Sequence, residues 1–80
     1  LYPNPAQEQL FLRYALEASA EVRVSVHDLT GRELRELQPM RPVAAGEHEV
    51  RFSVKDLPAG VYLMQVAWGG QSKWQKWIKE

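Results

Sequence analysis

The sequence predicts an all-β domain, built as a small sandwich of six or seven short antiparallel strands. Two observations carry most of that expectation. Apolar residues recur with period two through much of the chain, and turn signals rich in Gly, Pro and Asp separate the alternating runs. A third is local: Gly69-Gly70 stands alone between two alternating runs, the spacing of a two-residue hairpin. Short strands divided by frequent turns belong to a sandwich rather than a helical bundle.

The first element is open to two readings. Residues 6–20 are rich in Ala, Leu, Glu and Gln, and Leu10, Tyr14 and Ala18 would stack on one helical face. Leu10, Leu12, Tyr14 and Leu16 also alternate, as a strand requires. Propensity by itself favours the helix. The following run is clearer, with Val22, Val24 and Val26 alternating with Glu21, Arg23, Ser25 and His27, which puts His27 on the wet face. At Asp28-Leu29-Thr30-Gly31 the Asp can bond its own backbone and the Gly accepts a positive φ, so the chain turns.

Pro39 and Pro42 keep the stretch they bracket from being a central strand, and residues 38–44 read as a loop. His48, Val50, Phe52 and Val54 then alternate with Glu47, Glu49, Arg51 and Ser53. The turn Asp56-Leu57-Pro58-Ala59-Gly60 presets φ at Pro58 and releases the chain at Gly60. Tyr62, Met64, Val66 and Trp68 lie on one face of the next run, and Val61, Leu63 and Ala67 on the other. A strand apolar on both faces belongs at the centre of its sheet. The last run places Ser72, Trp74, Lys76 and Ile78 on one face and Lys73, Gln75, Trp77 and Lys79 on the other.

Composition excludes several classes of function. The chain has 80 residues, with ten basic and ten acidic side chains and a formal net charge of zero. That balance argues against nucleic acid or an anionic membrane as a bulk electrostatic partner. Cysteine is absent, which removes disulfides, thiolate nucleophiles and cysteine-bound zinc. The uninterrupted apolar run Val61 to Met64 is far shorter than the roughly 20 residues of a membrane span. Residues 1–7 do not read as a signal peptide. The start at Leu1 suggests a piece of something larger.

No catalytic constellation stands out. His27 and His48 have no nucleophile elbow near them, and the histidines read as a solvated side chain and a rim residue. Glu47 and Glu49 share a face but read as the wet side of a strand. No metal-ligand spacing and no phosphate-binding glycine loop occurs, so the chain is expected to be a non-enzyme without cofactors. Trp68 and Trp74 could bury together across the hairpin, or with Trp77 form a platform for sugars. On a wet face Trp77 would invite contact. Residues 71–80 carry Lys73, Lys76 and Lys79 against Glu80. Those lysines protect a strand edge from aggregation, or mark a basic strand that a receptor reads by strand addition. An unpaired edge also leaves a dimer open.

Several pieces then line up in order: Leu1-Tyr2-Pro3-Asn4-Pro5, Val24-Ser25-Val26-His27-Asp28-Leu29-Thr30-Gly31-Arg32, Ala45-Gly46-Glu47-His48, Leu57-Pro58-Ala59-Gly60-Val61-Tyr62 and Lys76-Trp77-Ile78-Lys79. This ordered set resembles the C-terminal sorting domain of type IX secretion cargo in Bacteroidota, the Por secretion family, over essentially all of residues 1–80. The resemblance implies a seven-stranded immunoglobulin-like sandwich, and so a strand at Gln9 to Leu16. It also implies a single domain at the end of a larger secreted protein, whose cargo lies on its N-terminal side. Family cargo passes through the periplasm, crosses the outer membrane through a translocon, and is usually cut by a sortase-like peptidase before display or release.

Carried over by residue, the resemblance assigns translocon recognition to Gly31, Arg32, Lys76, Trp77, Ile78 and Lys79. It assigns structural turns to Gly46, Pro58 and Gly60 and core packing to Tyr62, while Gly69 and Gly70 are the turn that the hairpin spacing itself gives. Family tails usually carry a smaller side chain where Trp77 stands. The rival reading is a carbohydrate-binding or adhesion sandwich attached to a secreted enzyme, working through Trp68, Trp74 or Trp77. A plain structural spacer is the third.

Overall fold

The alternating runs close into two antiparallel sheets. The computed structural model describes residues 2–4 and 8–80. Its strands are β1 (Tyr2–Asn4), β2 (Gln9–Leu16), β3 (Ala20–His27), β4 (Glu33–Val43), β5 (Gly46–Ser53), β6 (Gly60–Trp68) and β7 (Gln71–Lys79). One sheet has the order β1-β2-β5 and the other β4-β3-β6-β7. This is the immunoglobulin-like sandwich, with β4 beside β3 rather than beside β5 as in the constant-type arrangement. Leu1 and Pro5 of the opening motif lie outside the described residues.

Packing overrides propensity at β2. Leu10, Leu12 and Leu16 face the second sheet and are buried with Val22, Val24, Val26, Val54, Met64 and Val66. A helix would have spread those leucines around its axis, whereas a strand puts them all on the one face that has a partner. β6 lies between β3 and β7, the central place its two apolar faces demand.

The 38–44 stretch is strand as far as Val43, not loop. Its pairing with β3 slips three times, each slip adding one residue to β4: between Val22 and Val24, between Val24 and Ser25, and between Val26 and His27. Eleven residues of β4 therefore oppose eight of β3. Pro39 falls in the first bulge, and β4 is an edge strand, so neither proline interrupts a central ladder.

The loop between β5 and β6 is pinned from three sides. The Tyr62 hydroxyl donates to the Pro58 carbonyl four residues back, closing a tyrosine corner. Arg35 Nη1 and Nη2 donate to the two carboxylate oxygens of Asp56, each at 2.6 Å. Lys79 Nζ donates to Val54 O and Leu57 O at 2.5 Å and to Lys55 O at 3.3 Å. The guanidinium of Arg35 holds Asp56 below the usual carboxylate range. Asp28 is likewise held low, chiefly by the Thr30 hydroxyl and then by the Arg32 and Thr30 amides.

Both carboxyls are thus more acidic folded than unfolded. Their contribution is present above the unfolded carboxylate range and is lost as pH falls through the folded pKa. Melting temperature should decline on acidification below about pH 4. Asp56→Asn should flatten part of that decline in thermal melts recorded from pH 7 to 2. Asp56 is exposed, so added salt should shrink the difference.

Candidate functional site

The hairpin after β6 fixes everything in β7. Gly69 and Gly70 both have positive φ, at 51° and 76°, the geometry of a two-residue primed turn. The pairing then runs without a slip from Trp68↔Gln71 to Gly60↔Lys79. Tyr62 stands opposite Trp77 and Val61 opposite Ile78. Among the described residues β7 pairs with β6 alone, which leaves its other rim free.

Register divides the tail into two sets of side chains. Trp77 is 2% exposed and its ring lies 5.1 Å from that of Tyr62. Lys79 is 7% exposed, its amine buried under the β5–β6 loop. Trp77 is therefore core and no ligand platform. Neither it nor Lys79 offers a side chain to a partner while the domain is folded. Lys76 and Ile78 point the other way, Ile78 being 51% exposed.

Trp74 stands opposite Gln65, while Trp68 stands opposite Gln71. The two tryptophans occupy opposite faces of the sheet, so the expected cross-strand pair does not form. Trp74 instead packs edge-on against His27, with ring centroids 4.7 Å apart. His27, expected in solvent, is 6% exposed because this neighbouring ring covers it.

His27 also joins the tail to the Gly31-Arg32 turn. Its Nδ1 donates to Gly31 O at 3.1 Å, and its Nε2 lies 2.8 Å from Ser25 Oγ. Gly31 has φ 90°, which lets the turn close onto Asp28. Asp28 Oδ1 accepts the Thr30 amide, the Thr30 hydroxyl and the Arg32 amide, and Oδ2 accepts Arg32 Nε at 3.1 Å. Arg32 is held at the base of its guanidinium while most of the side chain stays exposed. The buried His27 joins the turn to the outer face of β7, which carries Trp74, Lys76 and Ile78. Sequence reading missed His27 and Trp74 as that junction, although Trp74 shares the parity of Lys76 and Ile78.

The remaining turn residues have local roles. Gly46 opens β5 with φ 116°, and Pro58 supplies the carbonyl for Tyr62. Gly60 opens β6 without a positive φ. His48 is a rim residue that stacks near Tyr14 and donates Nε2 to Ala44 O at 2.6 Å. Glu49 meets Arg13 across the strands at 3.6 Å.

Chemistry at the surface is sparse. Among the described residues no cluster of His, Cys, Asp and Glu could hold a metal. A crevice lined by Tyr14, Ala15, Leu16, Val66, Trp68 and Lys73 has a volume of about 60 Å³. Small-molecule sites start at roughly 300 Å³. Among the described residues no helix is long and apolar enough to cross a membrane.

β7 is a lysine-bearing edge of its sheet. The profile of one family, described as the secretion system C-terminal sorting domain, matches residues 1–80. The chain belongs to this family. Neither a curated protein nor a solved structure matches it. The sorting domain is a signal of the type IX secretion system, and its family is one of sorting signals rather than catalysts. It implies attachment to a cargo, interaction with the secretion machinery, and export across the outer membrane to the surface or beyond.

Proposed function

We propose that the domain ends a larger secreted protein and labels a cargo on its N-terminal side, which passes through the periplasm to the outer-membrane translocon. The translocon meets the outer surface formed by the Gly31-Arg32 turn and the free rim of β7. A sortase-like peptidase then removes the domain. The observation that carries this reading is the His27 bridge. Two segments distant in sequence, the Gly31-Arg32 turn and the last strand, are tied together by one buried imidazole between Gly31 O and Trp74.

Within this reading, recognition uses Arg32, Lys76 and Ile78, while Trp77 and Lys79 hold the strand in place. The test is a periplasmic reporter fused ahead of residues 1–80 in a host with this export system. The wild-type fusion should reach the cell surface. Arg32→Ala combined with Lys76→Ala and Ile78→Ser should fold, as judged by protease resistance, yet stay in the periplasm. Surface delivery of that folded variant at the wild-type level would refute the reading. Deleting residues 76–80 is a poorer test, because it removes Trp77 and Lys79 and so disturbs the core as well as the surface.

A further inference from the structure

We infer that the free rim of β7 docks an extended acidic strand with a carboxylate opposite Lys76 and apolar side chains two residues to either side of it. The inference rests on the export reading and specifies the chemistry of the partner at that surface.

The four sheet edges are not equivalent. β4 is disrupted by Pro39, Pro42 and three bulges, and β1 is three residues long. β5 is regular, but its outward residues Glu47, Glu49, Arg51 and Ser53 are polar and of mixed charge, with no apolar anchor. β7 offers nine residues in unbroken register and contains no proline. An added strand draws affinity from the main chain and specificity from alternate side chains, so a long regular edge is what it needs.

The outward side of β7 supplies the specificity. Trp74 is 46% exposed, Lys76 is exposed, and Ile78 is backed across the ladder by Val61, itself 37% exposed. The series reads apolar, cationic, apolar at period two. A partner strand paired there would place its own alternate side chains beside these three. Charge points the same way. Arg13, Arg23, Arg32 and Arg35 each have a carboxylate partner within the domain. Among the described residues neither Lys73 nor Lys76 has one. A second copy paired about Lys76 would set two Lys76 side chains against each other, which disfavours that self-pairing.

The test uses the purified 80-residue chain and two nine-residue peptides of otherwise alternating threonine. In one the central outward positions are valine, glutamate, valine; in the other the glutamate is lysine. The glutamate peptide should bind, shifting tryptophan emission to the blue, and Trp74→Phe should remove most of that shift while circular dichroism stays unchanged. Lys76→Glu should weaken the glutamate peptide about five- to tenfold and strengthen the lysine peptide, as reversal of one cross-strand charge pair requires. No binding of either peptide, or equal binding of the glutamate peptide to both chains, would overturn the inference. So would self-association of the chain without peptide, which would make a second copy the occupant. Peptide binding with failed export would overturn the export reading alone, and export by a chain that binds neither peptide would overturn this inference alone.

Discussion

Trp77→Ala is expected to destabilise the domain by about 3–5 kcal/mol, the usual cost of emptying a buried aromatic site. For a chain of this length the whole stability is roughly 4–12 kcal/mol, so the variant should be largely unfolded or close to it. The ring lies between the sheets against Tyr62, and Tyr62 closes the tyrosine corner, so the cavity would open beside the loop that the corner holds. Trp77→Phe is the informative companion. The indole Nε1 is buried and has no hydrogen-bond partner among the described residues, so phenylalanine removes an unsatisfied donor together with part of the packing volume. Its cost should be well under half that of alanine. Urea unfolding followed by circular dichroism measures both, and an alanine variant within about 1 kcal/mol of wild type would show that the ring is not core.

The position of Trp77 was more legible than its neighbours suggest. Lys73, Gln75 and Lys79 share its parity and make that face look wet. A two-residue hairpin at Gly69-Gly70 nevertheless pairs 68 with 71, and stepping along both strands sets Trp77 opposite Tyr62. Alternation placed the buried faces of β3 and β6 correctly, because each is a regular strand with its register fixed by hydrophobic pattern.

What stayed hidden has three physical sources. The three bulges in β4 shift parity each time, so no period-two pattern survives over 33–43. His27 sits at an outward position that its own strand marks as wet, and it is buried against a ring from β7 and the turn that follows β3. Contacts of that kind depend on which strands become neighbours, and local patterning carries little trace of it. The third source is a charged side chain on the buried face of its strand.

That side chain is Lys79. Lys76 and Lys79 lie three residues apart in the tail and composition treats them alike, yet Lys76 points outward and Lys79 turns under the β5–β6 loop. Its amine gives charged hydrogen bonds to the carbonyls of Val54, Lys55 and Leu57. Val54 O keeps the Leu57 amide as a second donor, so loss of the lysine leaves chiefly Lys55 O and Leu57 O without that partner. Hydrogen bonds to charged groups contribute about 1.5–3 kcal/mol, which sets the expected cost of Lys79→Met near 2–3 kcal/mol, with the methylene packing largely kept. Lys76→Met should lie within about 0.5 kcal/mol of wild type, as an exposed substitution does. Urea unfolding of the two variants measures the contrast, and amide exchange should show the 54–59 loop opening faster in Lys79→Met alone. Equal stabilities would place both lysines in solvent and remove the link between the last strand and the loop. If the contrast holds, substitutions at Lys79 act on export through folding, and only those at Lys76 act on it through contact.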